Sequence, residues 1–153
     1  MIDWVKQQNV KGLKVELVEE SGRTPLIFIE IDGTEPNAET ILLYGNILLL
    51  YPFLPLLGHF DKQPHMTGWK EGLGATTPVI RDGKLYGRGG ADDGYAIYNS
   101  VMAIKAIQDF GLSHPRCIIF VEGDEESGSI DLEFYFNKFS ERIGNPSVLV
   151  SFT

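Results

Sequence analysis

Residues 116–122 read Arg-Cys-Ile-Ile-Phe-Val-Glu, an unbroken apolar run with a charge at each end. Side chains alternate faces along a strand, so such a run must be covered on both sides. Such a run is typical of a strand buried on both faces, and the flanking sequence reads as helices. From Tyr95 to Phe110 the apolar period becomes helical: Ile97, Val101, Ile104 and Ile107, with Tyr98 and Met102, form one face, and Gly111 is a stop. Beyond the run, Ser129 is placed to cap a second helix. That helix has Asp131 and Glu133 in its first turn and Leu132, Tyr135, Phe136 and Phe139 on its buried face.

The remaining segments read as strands. Lys14 to Glu19 alternates apolar and charged residues, and Leu26 to Ile31 follows a Ser-Gly-Arg-Thr-Pro turn. Thr40 to Tyr44 is a third apolar strand, and Val79 to Tyr86 is a hairpin turned by Asp82-Gly83. Ser147 to Phe152 begins another buried strand. Strands, helix, strand, helix, strand predict an α/β fold, a three-layer αβα sandwich with a mixed sheet.

Over 153 residues, 43% hydrophobic and 22% charged, the chain has the composition of one globular domain. A net charge of −8, with Lys and Arg scattered singly, excludes a nucleic-acid binder, because phosphate contacts need clustered cations. The lone cysteine, Cys117, lies inside the apolar run and reads as a buried hydrophobe rather than a nucleophile. The N-terminus shows no basic stretch followed by an apolar core, so no signal peptide is expected and the setting is cytoplasmic. Ile41 to Leu57 approaches the length of a membrane span, but Gly45, Asn46, Pro52 and Pro55 interrupt it and would break an isolated helix.

Three polar clusters lie where apolar runs end or a helix opens, the positions at which open α/β sheets place ligands. In Gly58-His59-Phe60-Asp61, residues two apart on extended chain share a side, so Asp61 can reach the ring nitrogen that His59 does not offer to a metal. Alone, a His-x-Asp unit more often means an ordinary surface histidine. In Gly87-Arg88-Gly89-Gly90-Ala91-Asp92-Asp93-Gly94, glycines let the backbone approach closely before the chain turns into the helix, and an aspartate there equally reads as a helix cap. Glu122-Gly123-Asp124-Glu125-Glu126 packs four acids into five residues. Charge runs are usually solvated, yet at the end of a buried strand these acids repel one another unless a cation compensates. One imidazole and several carboxylates form a mixed N/O set that suits Zn²⁺, with Mn²⁺ or Co²⁺ also admissible.

The three motifs in this order resemble the family of two-metal peptidases that includes carnosine dipeptidases, acetylornithine deacetylases, aminoacylases and glutamate carboxypeptidases. His59-Phe60-Asp61-Lys62-Gln63-Pro64 followed by Gly68-Trp69, Lys84-Leu85-Tyr86-Gly87-Arg88-Gly89, and Glu125-Glu126-Ser127-Gly128-Ser129 are most similar to the dipeptidase branch. The resemblance implies a zinc-peptidase-like catalytic domain that hydrolyses dipeptide or N-acyl amino acid amide bonds with a metal-activated water. It implies that His59, Asp92 and Glu126 bind metal, Asp92 bridging two ions. Asp61 would orient His59, and Glu125 would be the general base that later passes a proton to the leaving amine.

Departures from the family pattern shape two further expectations. In the family the strand ending Tyr44-Gly45 runs straight into the His-x-Asp unit, whereas here residues 46–58 intervene. They read as an insertion that is a true loop, a membrane-seeking hairpin or a gene-model artefact, the last preferred, and membrane association is not expected. The sequence also stops at the start of the strand that carries a further Asp ligand in the family. Residues 1–153 thus read as the N-terminal part of the catalytic domain, without the late His ligand or the lid that makes family members homodimers. Impaired hydrolysis is expected, and the rival is a non-catalytic fragment that binds metal weakly or pairs with a full-length relative.

Overall fold

The computed structural model describes residues 1–35, 40–45 and 57–152. A short helix, α1 (Ile2–Gln7), precedes strands β1 (Leu13–Val18), β2 (Leu26–Ile31), β3 (Thr40–Gly45) and β4 (Leu57–His59). The hairpin β5 (Val79–Arg81) and β6 (Lys84–Tyr86) comes next, followed by α2 (Ala96–Asp109), β7 (Arg116–Glu122), a 3₁₀ turn over Glu125–Ser127, α3 (Leu132–Ile143) and β8 (Val148–Phe152). The main sheet runs β1-β2-β7-β3-β8, with β4 also paired to β7. It is mixed: β1, β2 and β7 are antiparallel, while β3, β4 and β8 join in parallel.

The apolar run is the centre of this sheet. Cys117, Ile119 and Val121 face α1 and α2, packing with Val5, Ile97, Val101 and Ile104. Ile118 and Phe120 face α3 and meet Phe28, Tyr135, Phe139 and Ile143. Helices thus cover both faces, the expected αβα layering. On the α3 side, rings set the spacing: Phe28 stacks on Phe139 at 4.5 Å and Phe120 on Phe136 at 4.7 Å. Each such pair contributes about 0.5–1.5 kcal/mol beyond its buried area. Burial pushes the Cys117 thiol up to about 11, which makes it the inert hydrophobe its setting suggests.

Two local expectations are corrected, and a third falls mostly outside the described residues. Met102 is 42% exposed rather than on the buried face of α2, because Ile97, Val101 and Ile104 already fill the stripe that meets the sheet. Ser129 does not cap α3, which starts at Leu132 with Asp131 at its N-cap. Ser129 instead sits at φ +52° with its hydroxyl donated to Glu122 Oε1 at 2.9 Å.

The third concerns residues 46–58. Residues 46–56 lie outside the described residues, but Leu57 and Gly58 are in β4, so the segment is not looped out up to His59. Along β7, Thr40–Leu43 of β3 pair with Arg116–Ile119, and Leu57–His59 of β4 then pair with Phe120–Glu122. The ladder passes from Leu43↔Ile119 to Leu57↔Phe120 without a skipped partner. His59 faces Glu122, the position an uninterrupted strand would give residue 46. Tyr44 and Gly45 pair instead with Ser151 and Phe152 of β8. The histidine therefore keeps a strand beneath it.

Gly58 is buried where β4 crosses the first turn of α2, and a Cβ there would lie 2.8 Å from Ala96 Cβ. Gly58→Ala is expected to destabilise the fold by about 1–3 kcal/mol through overpacking. An unchanged urea midpoint for this variant would show that the β4–α2 contact is loose.

Candidate metal centre

Each cluster sits at the end of an element that fixes it. His59 closes β4 and is 1% exposed, and its main-chain N–H donates to Asp93 Oδ2 at 3.4 Å. Asp93 Oδ1 in turn accepts the Tyr95 and Ala96 N–H groups at 3.3 and 3.1 Å, which holds the start of α2. The paired aspartates thus divide the two readings the sequence allowed. Asp93 anchors the first N–H groups of α2, and Asp92, with a side chain 62% exposed, turns toward the imidazole.

His59 Nδ1 lies 3.1 Å from the Asp61 carbonyl oxygen and 3.3 Å from Asp61 Oδ1. Nε2 lies 3.2 Å from Asp92 Oδ1 and 3.7 Å from Glu125 Oε2. Asp61 Oδ2 accepts the Glu126 N–H at 3.0 Å, so one carboxylate stands behind the histidine and also anchors the Glu125–Ser127 turn. Ligand atoms of His59, Asp92 and Glu126 all lie within 4.8 Å of one another. All five residues singled out in the sequence, His59, Asp61, Asp92, Glu125 and Glu126, are brought to one place.

The donor set fits a divalent metal. Both ring nitrogens of His59 face oxygen acceptors, and a neutral imidazole has only one N–H to offer. The other nitrogen directs a lone pair at a carboxylate unless a proton or a metal ion stands between them. Burial pushes the Glu125 carboxyl above the usual range; nearby His59 opposes this, and the charges of Glu126, Asp92 and Asp61 add to it.

Two residues at the site escaped sequence reasoning. Gln63 donates its main-chain N–H to Glu126 Oε1 at 3.3 Å and its side-chain amide to Oε2 at 2.6 Å. Lys62 donates to the carbonyls of Asp61 and Asp93. Neither follows a spacing rule, since each acts through a turn whose path only the fold defines.

A mixed αβα sheet with an imidazole–carboxylate cluster at its strand ends defines the class, a metallohydrolase-like α/β domain. The profile of Peptidase family M20/M25/M40 matches residues 56–143, and the chain belongs to that family. It is 33% identical over 121 residues to the Beta-Ala-His dipeptidase of Homo sapiens, which spans 77% of this chain and 21% of the relative. It is 31% identical over 112 residues to the Cys-Gly metallodipeptidase dug1 of Schizosaccharomyces pombe, with 71% and 21% covered. The crystal structure of human carnosine dipeptidase 1 superposes with a TM-score of 0.65 at 25% identity, covering 99% of this chain and 31% of that one. An M20 family metallo-carboxypeptidase from Sulfolobus solfataricus shares the fold with a TM-score of 0.71 at 24% identity, covering 97% and 30%. The chain therefore spans about a fifth of the length of these two curated relatives. Among the described residues no helix is long and apolar enough to cross a membrane.

Proposed function

We propose that residues 1–153 are part of the catalytic domain of a metallodipeptidase that hydrolyses dipeptide or related amide bonds. The observation that carries this reading is the convergence of His59 Nε2, Asp92 and Glu126, with Glu125 Oε2 3.7 Å from the same ring nitrogen. His59, Asp92 and Glu126 would hold the metal, zinc before manganese or cobalt given one imidazole among carboxylates. When bound, the ion would supply Lewis acidity, polarising the amide carbonyl and making water acidic enough to attack near neutral pH. The Asp61 carbonyl oxygen, accepting from Nδ1 with the Asp61 carboxylate close behind, keeps the proton on that nitrogen and leaves Nε2 to ligate. Glu125 is the residue placed to take a proton from water at its carboxylate and return it to the departing amine. The buried, unpaired Cys117 fits a reducing compartment, and the cytoplasm is proposed.

The test follows metal and turnover in the same samples. Zinc binding is titrated against a chromophoric chelator while a panel of dipeptides is assayed. Glu125→Gln is expected to bind zinc as wild type does and to lose at least about 10²-fold in turnover. Turnover that survives in Glu125→Gln removes the proton-transfer role. Zinc bound without any turnover would assign the chain to the rival reading, a fragment that holds metal without hydrolysing. No zinc binding would remove the reading altogether.

A further inference from the structure

Lys62 lies between two segments that carry candidate ligands. Its amine donates to the Asp61 carbonyl at 2.9 Å and to the Asp93 carbonyl at 2.5 Å. Asp61 stands directly behind His59, and Asp93 directly follows Asp92. Among the described residues none of the ion pairs within 4 Å includes Lys62, so its grip is on main chain rather than on the carboxylates. The glycine loop is shaped around its stem. A Cβ at Gly89 would fall 2.5 Å from Lys62 Cε and 2.8 Å from Cδ, and one at Gly94 would fall 2.7 Å from the Gly89 carbonyl oxygen. Gly89 also holds φ +82°, a conformation that side chains disfavour.

We propose that Lys62 is a positioning residue that ties the exit of β4 to the glycine loop and so fixes the distance between His59 and Asp92. Gly89 is glycine because the lysine stem crosses it. Besides this tie, the Asp93 bond to the His59 N–H joins the two segments. An amine meeting two carbonyls at once does what a buried main-chain crossing would otherwise need water to do. The consequence for metal rests on the proposed function, but the tie itself does not.

Lys62→Met keeps an unbranched stem and removes the donors. In the metal-free chain, amide hydrogen exchange at Phe60, Arg88 and Ala96 is expected to quicken about tenfold or more, while Ile118 and Ile119 in β7 stay within about twofold. Zinc affinity, measured by chelator competition, is expected to fall about tenfold. Gly89→Ala is expected to imitate Lys62→Met, and the double variant to bind zinc no worse than about threefold below the weaker single, because both changes break one tie. Unchanged exchange in Lys62→Met, or effects of the two substitutions that simply multiply, would overturn the inference. If wild type binds no zinc, the proposed function fails while the exchange comparison still decides the tie. Should Lys62→Met fail to fold, Lys62→Gln, which retains one donor group, carries the same comparison and is expected to show the same local quickening.

Discussion

Zinc is expected to raise the unfolding temperature of this chain, and Asp92→Asn to abolish that rise. The Asp92 carboxylate and the other acids around His59 repel one another without a cation, and His59 presents one nitrogen lone pair to them. A ligand that binds only the folded state stabilises it by mass action. At about 1,000 times its dissociation constant that amounts to about 4 kcal/mol, or about 10 °C for a chain of this size. Asp92 is the residue to change, because its side chain is 62% exposed and its loss opens no cavity in the core. His59 is buried, and its loss would confuse a missing ligand with a cavity. Without metal, Asp92→Asn relieves a like charge, so its stability should equal or exceed that of wild type. With zinc, the order reverses. That crossing of signs separates metal binding from general damage. An equal zinc-induced rise in both proteins would place the ion elsewhere and remove Asp92 from the site. Magnesium should give little, since it prefers an all-oxygen octahedron and keeps its waters.

The features legible in the sequence are those in which one local rule decides the outcome. The run through Cys117 and Val121 demanded two covers and received them, because nothing polar interrupts it. Asp82 and Gly83 both adopt positive φ, 52° and 71°, as a two-residue hairpin turn requires. What stayed hidden depends on partners far away in sequence. β4 is three residues at the end of an apolar stretch with no period of its own, and only the open positions on β7 beside Phe120 to Glu122 make it a strand. Ser129 looked like a cap because it precedes acidic residues, but Glu122 claims its hydroxyl and Asp131 is drawn to Arg23 and Thr24 instead. The paired aspartates could each have been cap or ligand from sequence; the geometry holds Asp93 against the start of α2 and turns Asp92 toward His59. Gln63 and Lys62 act across the gap between loops, where spacing along the chain carries no information.

Glutamate 122 should make the chain less stable as pH rises, and Glu122→Gln should remove that dependence. Its side chain ends β7 on the face covered by α3 and is 1% exposed. Oε1 accepts the Ser129 hydroxyl, while Oε2 and Asp124 Oδ1 find no donor from any other group. A proton carried by Glu122 and shared with Asp124 would satisfy both oxygens. Burial is the largest cause that pushes the Glu122 carboxyl up, to about 9; the bond with Asp124 adds to it and the Ser129 hydroxyl opposes it. The folded chain therefore keeps a proton that the unfolded chain releases near pH 4.5. The stability tied to that proton is fully present below about 4.5 and is lost progressively as pH rises toward about 9, with a limiting slope of about 1.4 kcal/mol per pH unit. Between pH 6 and pH 8 wild type should lose about 2–3 kcal/mol from this group. A glutamine there can donate to Asp124 Oδ1 and still accept from Ser129, with no proton to lose. Urea midpoints of the two proteins should nearly coincide at pH 5 and separate at pH 8, with Glu122→Gln the more stable by about 4 kcal/mol. Glu125 titrates in the same direction but is present in both proteins, so the difference between the curves isolates residue 122. Parallel curves from pH 5 to pH 8 would mean that Glu122 is ionised in the folded chain. The oxygens of Glu122 and Asp124 would then need a cation of their own, and the turn that carries Glu125 and Glu126 would be held by charge rather than by a shared proton.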